Sequence, residues 1–490
     1  MRNTLFIVSF FLSLNCFSQK LLETSQLKQD FAILTNAVCE ISPNLNFKEK
    51  EALYSYLNKR SEELNGKTMT VIEFFKFLMD TKAKTKLDEH GSLSLSNEIM
   101  KKLLTDKKVL FPIPIIIINN KLIVNHENVQ IPFGSVISKI NGVSVSTILN
   151  GLVKEKNTFS LRNLEQSFDV LYLIKYGAPE TYNITYTQPN INITKTIKLS
   201  PIEIKTRENV YSNIIYPLGH QQIKNVTNTT YFKNSDSYYI QLNSFNWNTN
   251  TENTYDTFNK QFWNIFKKIK RQKPKNLIID LRYNRGGNMI IPALFYSYIA
   301  QGDFNEYISM LVPDFKLPNM DNIFSIGNKV VNKENVENFI NTFKKPFIKN
   351  NNFYEHIFIN NIKRIENKKG FKGTIYLLVG GRTFSAAAYY TAIFKNHKRG
   401  LIIGEQVGGS HHNITAGKQI IYVLPNTKIR LSIPISILKF SQNLETNVPE
   451  QKITPDIQKT EEEKYQSFLK KEDWDLQAVF DLITKKKQHK

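Results

Sequence analysis

The stretch that most constrains the fold is TIYLLVGGRTFSAAAYY, residues 374–390. Its first six residues, Thr374–Val379, form a β-branched and apolar run without polar alternation, the pattern of a strand buried on both faces. Gly380 and Gly381 break the run, and Ala387, Tyr390 and Phe394 then recur at helical spacing. A strand covered on both sides and followed at once by a helix predicts a layered α/β core. Ser385 falls where strand gives way to helix. Such a serine serves either as a helix cap or as a nucleophile beside unpaired backbone N–H groups, at the positive end of the helix dipole. The residues of this stretch leave both readings open.

The same alternation begins earlier. A strand over Tyr238–Leu242 precedes an amphipathic helix carrying Tyr255, Phe258, Phe262, Ile265 and Ile269, and a buried strand follows over Leu277–Leu281. This order predicts a right-handed βαβ unit with a parallel sheet. The sequence DLRYNRGGN then sets Gly286 and Gly287 at the carboxyl end of a parallel strand, the edge where open α/β sheets carry their sites. Asp280, Arg282, Asn284 and Asp456 read as structural residues that pair strand ends and loops.

Upstream, residues 19–104 read as a helical domain. Leu27, Phe31, Leu34 and Val38 keep one buried face, as do Val71, Phe74, Phe75 and Leu78 after a capping box at Thr70 and Glu73. The helices end at TKLDEHGSLSL, a polar turn that leaves His90 either at the surface or free to reach another part of the chain. Residues 105–200 read as mostly β, with Ile113–Ile118 interrupted by Pro114, then Leu122–Val124 and Val136–Ile140. Asn141-Gly142 marks a hairpin turn, and Ser146 is expected to cap a helix through Leu149 and Val153. Tyr182, Ile184 and Tyr186 alternate as a strand does, and so do Ile191 and Ile193. Residues 201–230 read as a polar linker.

Composition excludes one class of partner. The net charge is +22, but lysines are scattered among asparagines, with a dense run, KKKQHK, at Lys485–Lys490. With no accompanying motif this is a solvated basic surface, not a nucleic-acid site. At the amino terminus Arg2 precedes an apolar stretch, Leu5–Leu14, and Cys16-Phe17-Ser18 offers small residues for a signal peptidase. Residues 1–18 are therefore expected to be a signal peptide cut after Ser18, with a lipid anchor on Cys16 as the competing outcome. Cleavage leaves Cys39 as the sole cysteine, so no internal disulfide can form. No other stretch is long and apolar enough to span a membrane. The mature chain is expected to be exported, periplasmic or extracellular.

Taken in order, NLIIDLRYNRGGN, GTIYLLVGGRTFSAAAYY, LIIGEQVGGS and ITPDI (Ile453–Ile457) resemble the tail-specific, or carboxy-terminal processing, serine peptidase family. IPFGSVISKINGVSVSTILNGL, from Ile131 on, resembles the late part of a PDZ domain, which captures peptides by strand addition. The resemblance implies a multidomain α+β chain: an N-terminal helical domain, a PDZ-like domain over 105–200, and a peptidase core of ClpP/crotonase-like type over 201–460. An insertion at about 301–370, rich in asparagine, lysine and aromatic residues, is expected to cap the cleft. A C-terminal helix and basic tail occupy 461–490.

The resemblance further implies Ser385 as nucleophile, with an oxyanion hole from the backbone N–H groups of Ala386 and Gly286. One branch of the family takes its base from a lysine after the Gly-Glu strand, where this chain has Ser410. The other uses a histidine from an Asp-Gly-His-Thr-like turn, which Asp88-Glu89-His90-Gly91 resembles, so His90 is the implied base. Glu450, ahead of ITPDI, is the implied orienting acid, with Glu445 as the alternative. His411, His412 and, more remotely, Lys418 are other candidate bases. No metal or organic cofactor is implied, and the substrates would be proteins or peptides. The alternative is a peptidase-like scaffold that binds peptides or other ligands without cleaving them.

Overall fold

The computed structural model describes residues 21–43, 47–82, 90–127, 129–153, 157–189, 191, 193–212, 226–246, 254–327, 329–440 and 452–488. The signal segment with Cys16, the start of the His90 turn, Glu445 and Glu450 lie outside the described residues.

Three amphipathic helices open the chain: α1 (Thr24–Ile41), α2 (Phe47–Glu62) and α3 (Val71–Lys82). Leu27, Phe31, Leu34, Val38, Phe74, Phe75 and Leu78 are all buried, as their spacing predicts. The capping box at α3 forms, with Thr70 N–H donating to Glu73 Oε2 at 2.8 Å. These helices share their core with Ile420, Tyr422, Leu431 and Ile433 of a large antiparallel sheet. A short strand, β1 (Ser92–Ser94), follows the His90 turn, and α4 (Asn97–Leu104) ends this part.

A second sheet follows, built from β2 (Ile115–Ile118), β3 (Lys121–Val124), β4 (Val136–Ile140), β5 (Val143–Ser144), β6 (Tyr182–Thr187) and β7 (Thr194–Leu199). Its order is β2-β3-β4-β6-β7, with β5 on β4. Two helices, α5 (Val145–Leu152) and α6 (Thr158–Tyr176), lie between β5 and β6. Asn141 and Gly142 both have positive φ, +50° and +79°, the geometry the hairpin turn requires. The helix cap is Ser144, which accepts from Thr147 N–H at 3.2 Å, so Ser146 sits inside the first turn instead of before it. Ile191 and Ile193 precede β7 and are about half exposed, so their alternation does not mark a strand.

The expected linker contains a helix, α7 (Ile204–Ser212), and an edge strand, β8 (Thr227–Phe232). Then come β9 (Ser237–Leu242), α8 (Thr254–Gln272), β10 (Asn276–Asp280) and α9 (Ile291–Ser297). Residues 301–370 hold β11 (Phe304–Val312), β12 (Ile323–Ile326), β13 (Lys329–Val330), α10 (Lys333–Phe343), β14 (Phe347–Asn350) and β15 (Phe353–Arg364). The chain continues through β16 (Thr374–Val379), α11 (Ala386–Asn396), β17 (Leu401–Gly404), β18 (Asn413–Val423) and β19 (Arg430–Lys439). Two helices, α12 (Glu461–Leu469) and α13 (Trp474–Gln488), end it.

The central sheet runs β17-β16-β10-β9-β8, parallel from β17 to β9 with β8 antiparallel at the edge. Helices α8, α9 and α11 cover one face, where Phe258, Phe262, Phe295 and Tyr390 pack. On the other face Val479 and Ile483 of α13 meet Tyr239, Ile278, Tyr376 and Leu378. Each such fully buried side chain contributes about 1.5–3 kcal/mol, and burial on both faces accounts for the lack of polar alternation in β10 and β16. The insertion is built into a larger sheet. Its strands join β18 and β19 in an antiparallel sheet of order β13-β12-β18-β19-β11-β15-β14, with β1 paired to β19. Among the aromatic residues of the insertion, Phe315 packs among Phe343, Phe347 and Tyr354 against the main core.

Candidate active site

The turn between β16 and α11 is clamped by its own backbone and by the neighbouring strand end. Thr383 N–H donates to Gly380 O at 2.9 Å, Thr383 Oγ1 donates to Leu281 O at 2.8 Å, and Phe384 N–H donates to Asn284 O at 3.0 Å. Ser385 follows with φ +53° and ψ −124°, and its side chain makes no capping hydrogen bond. The cap reading is thereby corrected. These angles are those of the first corner of a type II′ turn, where glycine is usual, and a serine there stores strain of about 1–3 kcal/mol. Strain of this kind on a half-buried hydroxyl at the head of a helix is also found at nucleophile turns between a strand and a helix.

Gly286 is fitted to this turn. A Cβ on it would lie 2.7 Å from Ser385 Cβ and 2.8 Å from Ala386 N, so only glycine allows the approach. Its N–H, however, donates to Asn284 Oδ1 at 2.9 Å, which removes it from an oxyanion site in this conformation. Gly287 is differently placed. Phe245 N–H donates to Gly286 O at 2.8 Å, and Asn288 N–H donates to Phe245 O at 3.0 Å. Both neighbours of Gly287 are thus engaged toward Phe245, and alternation along the chain turns the Gly287 N–H to the opposite edge, where the Phe384–Ala386 turn lies. Among the described residues neither this N–H nor that of Ala386, at the first position of α11, donates to a partner.

His90 arrives from the far amino-terminal side. Its ring stacks on that of Phe384, the residue before Ser385, with centroids 4.4 Å apart and planes 24° apart. The return strand β1 pairs with β19 through Ser92, Leu93 and Ser94, which anchors the turn's exit. The other candidate bases have different surroundings. His411 shares a hydrogen bond with Asn396 Oδ1 at 2.8 Å, and burial, with the charges of His412 and Lys395, pushes its pKa down to about 4. The His412 ring lies 4.7 Å from that of His411, and Lys418 lies beside Gly327 in the large sheet.

Behind the turn lies a buried charge cluster. Arg282 reaches both oxygens of Asp280 and of Asp473, and also Asp475 at 3.0 Å. Asp456 accepts from Ile402 N–H at 2.8 Å. Asp280, Arg282 and Asp456 are structural, as the sequence implied. A second cluster ties α6 to the loop after β17. Arg162 donates to both oxygens of Glu405 at 2.9 and 2.6 Å, and Lys464 lies 3.2 Å from the same carboxylate. Burial alone would raise the Glu405 pKa, but Arg162 and Lys464 reverse it and hold the carboxyl below the usual range. Arg162 also donates to Ile117 O at 3.0 Å, and Glu165 accepts from Ile117 N–H at 2.7 Å. The outward backbone groups of β2 at this position are already engaged.

Sequence reasoning missed the ring stack and the Arg162–Glu405 tie, because each joins residues far apart in the chain. The one local signal was Phe384 itself, an aromatic residue directly before the serine. Among the described residues no cluster of His, Cys, Asp and Glu is arranged to hold a metal ion, and no helix is long and apolar enough to cross a membrane.

Residues 236–459 match the sequence model of Peptidase family S41. The chain is similar to the solved structure of mature CPAF complexed with lactacystin, at 14% identity and TM-score 0.62, covering 94% of this chain and 99% of that one. A CPAF mutant structure is similar at 12% identity, 91% and 96% coverage and TM-score 0.62. The photosystem II D1 C-terminal processing protease matches at 15% identity, 89% and 93% coverage and TM-score 0.41. No curated protein matches the sequence. The matched region contains the strained Ser385 turn, both glycine pairs and the parallel sheet that carries them, and through it residues 236–459 are similar to the serine-type peptidases of family S41, the tail-specific or carboxy-terminal processing group.

Proposed function

We propose that the chain is an exported endopeptidase that cleaves proteins through an acyl-enzyme, with Ser385 as nucleophile and His90 as general base. The observation that carries this reading is the stacking of the His90 ring on Phe384, beside a serine held at positive φ with no capping bond. His90 takes the Ser385 Oγ proton as Oγ attacks the peptide carbonyl carbon. The oxygen that gains the electron pair is met by the N–H groups of Ala386 and Gly287, with Gly287 replacing Gly286 because the latter already donates to Asn284. The imidazolium then gives its proton to the leaving nitrogen as the C–N bond breaks. Water, deprotonated by His90, attacks the ester carbon, and as the bond to Oγ breaks the imidazolium returns the proton to Ser385. Glu450, or Glu445 in its place, holds the second ring nitrogen.

Residues 105–200 we assign as a PDZ-like module that gates the cleft instead of capturing peptides on β2. The support is the engagement of Ile117 N–H and C=O by Glu165 and Arg162, since a peptide strand added at this position would have to displace both. The test of the activity is hydrolysis of an unstructured protein such as casein by the purified chain. Wild type should cleave it, and Ser385→Ala should lower kcat by on the order of 10⁶ with an unchanged melting temperature. Equal cleavage by the two would refute the reading, and no cleavage by either would leave a peptidase-like scaffold.

A further inference from the structure

The Phe384 ring has a second aromatic neighbour. Phe159, in the first turn of α6, stacks on it with centroids 4.2 Å apart and planes 29° apart. Three rings from three parts of the chain thus meet: His90 from the turn after the opening helices, Phe384 from the nucleophile turn, and Phe159 from the helix between β5 and β6. We propose that Phe159 is a positioning residue for catalysis: it fixes the Phe384 ring, which in turn sets the orientation of the His90 imidazole toward Ser385. This rests on the reading of Ser385 and His90 given above.

The backbone of Phe384 is fixed by the core, its N–H on Asn284 O and its carbonyl accepting from Ala387 N–H at 3.0 Å. Its side chain keeps two free torsions, and a ring settles when a flat neighbour restricts them. Phe159 is such a neighbour and is itself immobilised. Asn157 caps α6 by accepting from Ser160 N–H at 2.8 Å. Arg162 is tied to Glu405, and Arg382, two residues before Phe384, donates to Arg162 O at 3.1 Å. Gly408 and Gly381 let the helix start come close: a Cβ on Gly408 would lie 2.6 Å from Phe159 Cδ2, and one on Gly381 would lie 2.6 Å from Thr158 O. The first turn of α6 is therefore seated directly on the nucleophile turn. An imidazole that must be aligned with a hydroxyl gains from a platform of fixed angle, because a misplacement of about 1 Å can lower the rate about 100-fold.

The experiment compares Phe159→Leu, which keeps buried apolar volume without a flat face, with Phe159→Tyr, which keeps the flat face. Steady-state kinetics are measured on an unstructured protein or a fluorogenic peptide from it, in the wild-type and His90→Gln backgrounds. Phe159→Leu should lower kcat about tenfold or more with KM within twofold of wild type, and Phe159→Tyr should restore kcat to within about threefold. In His90→Gln the leucine substitution should cause no further loss, since the group it positions is gone. Full kcat in Phe159→Leu beside a crippled His90→Gln would overturn this proposal alone. So would a loss confined to KM, or an equal loss in both backgrounds. Wild-type activity in His90→Gln would overturn the assignment of the base, and this proposal with it.

Discussion

The two turns that meet near Ser385 are held in different ways. The Ser385 turn is held by backbone contacts inside the parallel-sheet core: Thr383 to Gly380 within the turn, Phe384 to Asn284 at the neighbouring strand end, and Gly286 packed against Ser385 and Ala386. The His90 turn is fixed by partners far along the chain, the Phe384 ring on one side and strand β19 on the other. The first is written into a few glycine-bearing turns and survives as long as the parallel sheet does. The second depends on the docking of separate layers, so activity can be lost there without loss of the core.

Substitutions that strike the sheet end should separate these supports. Arg282→Met would leave Asp280, Asp473 and Asp475 facing one another without their shared cation. A buried group of this kind broken by loss of one partner costs about 3–5 kcal/mol, read as a shift in a urea midpoint. Gly286→Ala strikes the nucleophile turn alone. Its φ is +97° and its Cβ would meet Ser385, Phe384 and Ala386 at 2.7–2.8 Å, so kcat should fall by about 100-fold with a stability loss of about 1–3 kcal/mol. If activity survived, the close fit of the two glycine turns would have no catalytic meaning.

A pH-dependent effect concerns Asp475, whose pKa burial raises to about 8 despite the Arg282 cation. The folded chain then holds a proton that the unfolded chain releases between about pH 4 and 8. The stability this contributes is present at low pH, declines as pH rises through that window and is gone above about 8. The variant Asp475→Asn carries an amide with no proton to release, so its thermal stability relative to wild type should rise between pH 4 and pH 9. A pH-independent difference would mean that Asp475 stays ionised beside Arg282.

What was legible in the sequence follows the same division. The strand, glycine pair, serine and helix of residues 374–396 were readable because each signal is local and both faces of the strand are buried. The βαβ unit from β9 to β10 was readable for the same reason. The linker reading failed at β8, where TNTTYF is an edge strand whose threonines suit a pleated surface but look polar. It failed at α7 as well, a short helix of weak amphipathicity. The sheet formed by residues 301–370 was not legible because β11 pairs with β19 and β12 with β18, about 100–130 residues later. At the site, Gly286 was named for its position in the pair, but the Asn284 side chain that occupies its N–H has no sequence signature.

The central claim, that an imidazole from the opening third of the chain activates Ser385, is tested most directly by the rate at which a fluorophosphonate labels the protein, read by mass analysis of the modified peptide. A single adduct on Ser385 is expected in wild type, with a labelling rate lower by about 100-fold or more in His90→Gln. Labelling of Ser385 at the wild-type rate in His90→Gln, or an adduct at another residue, would contradict it.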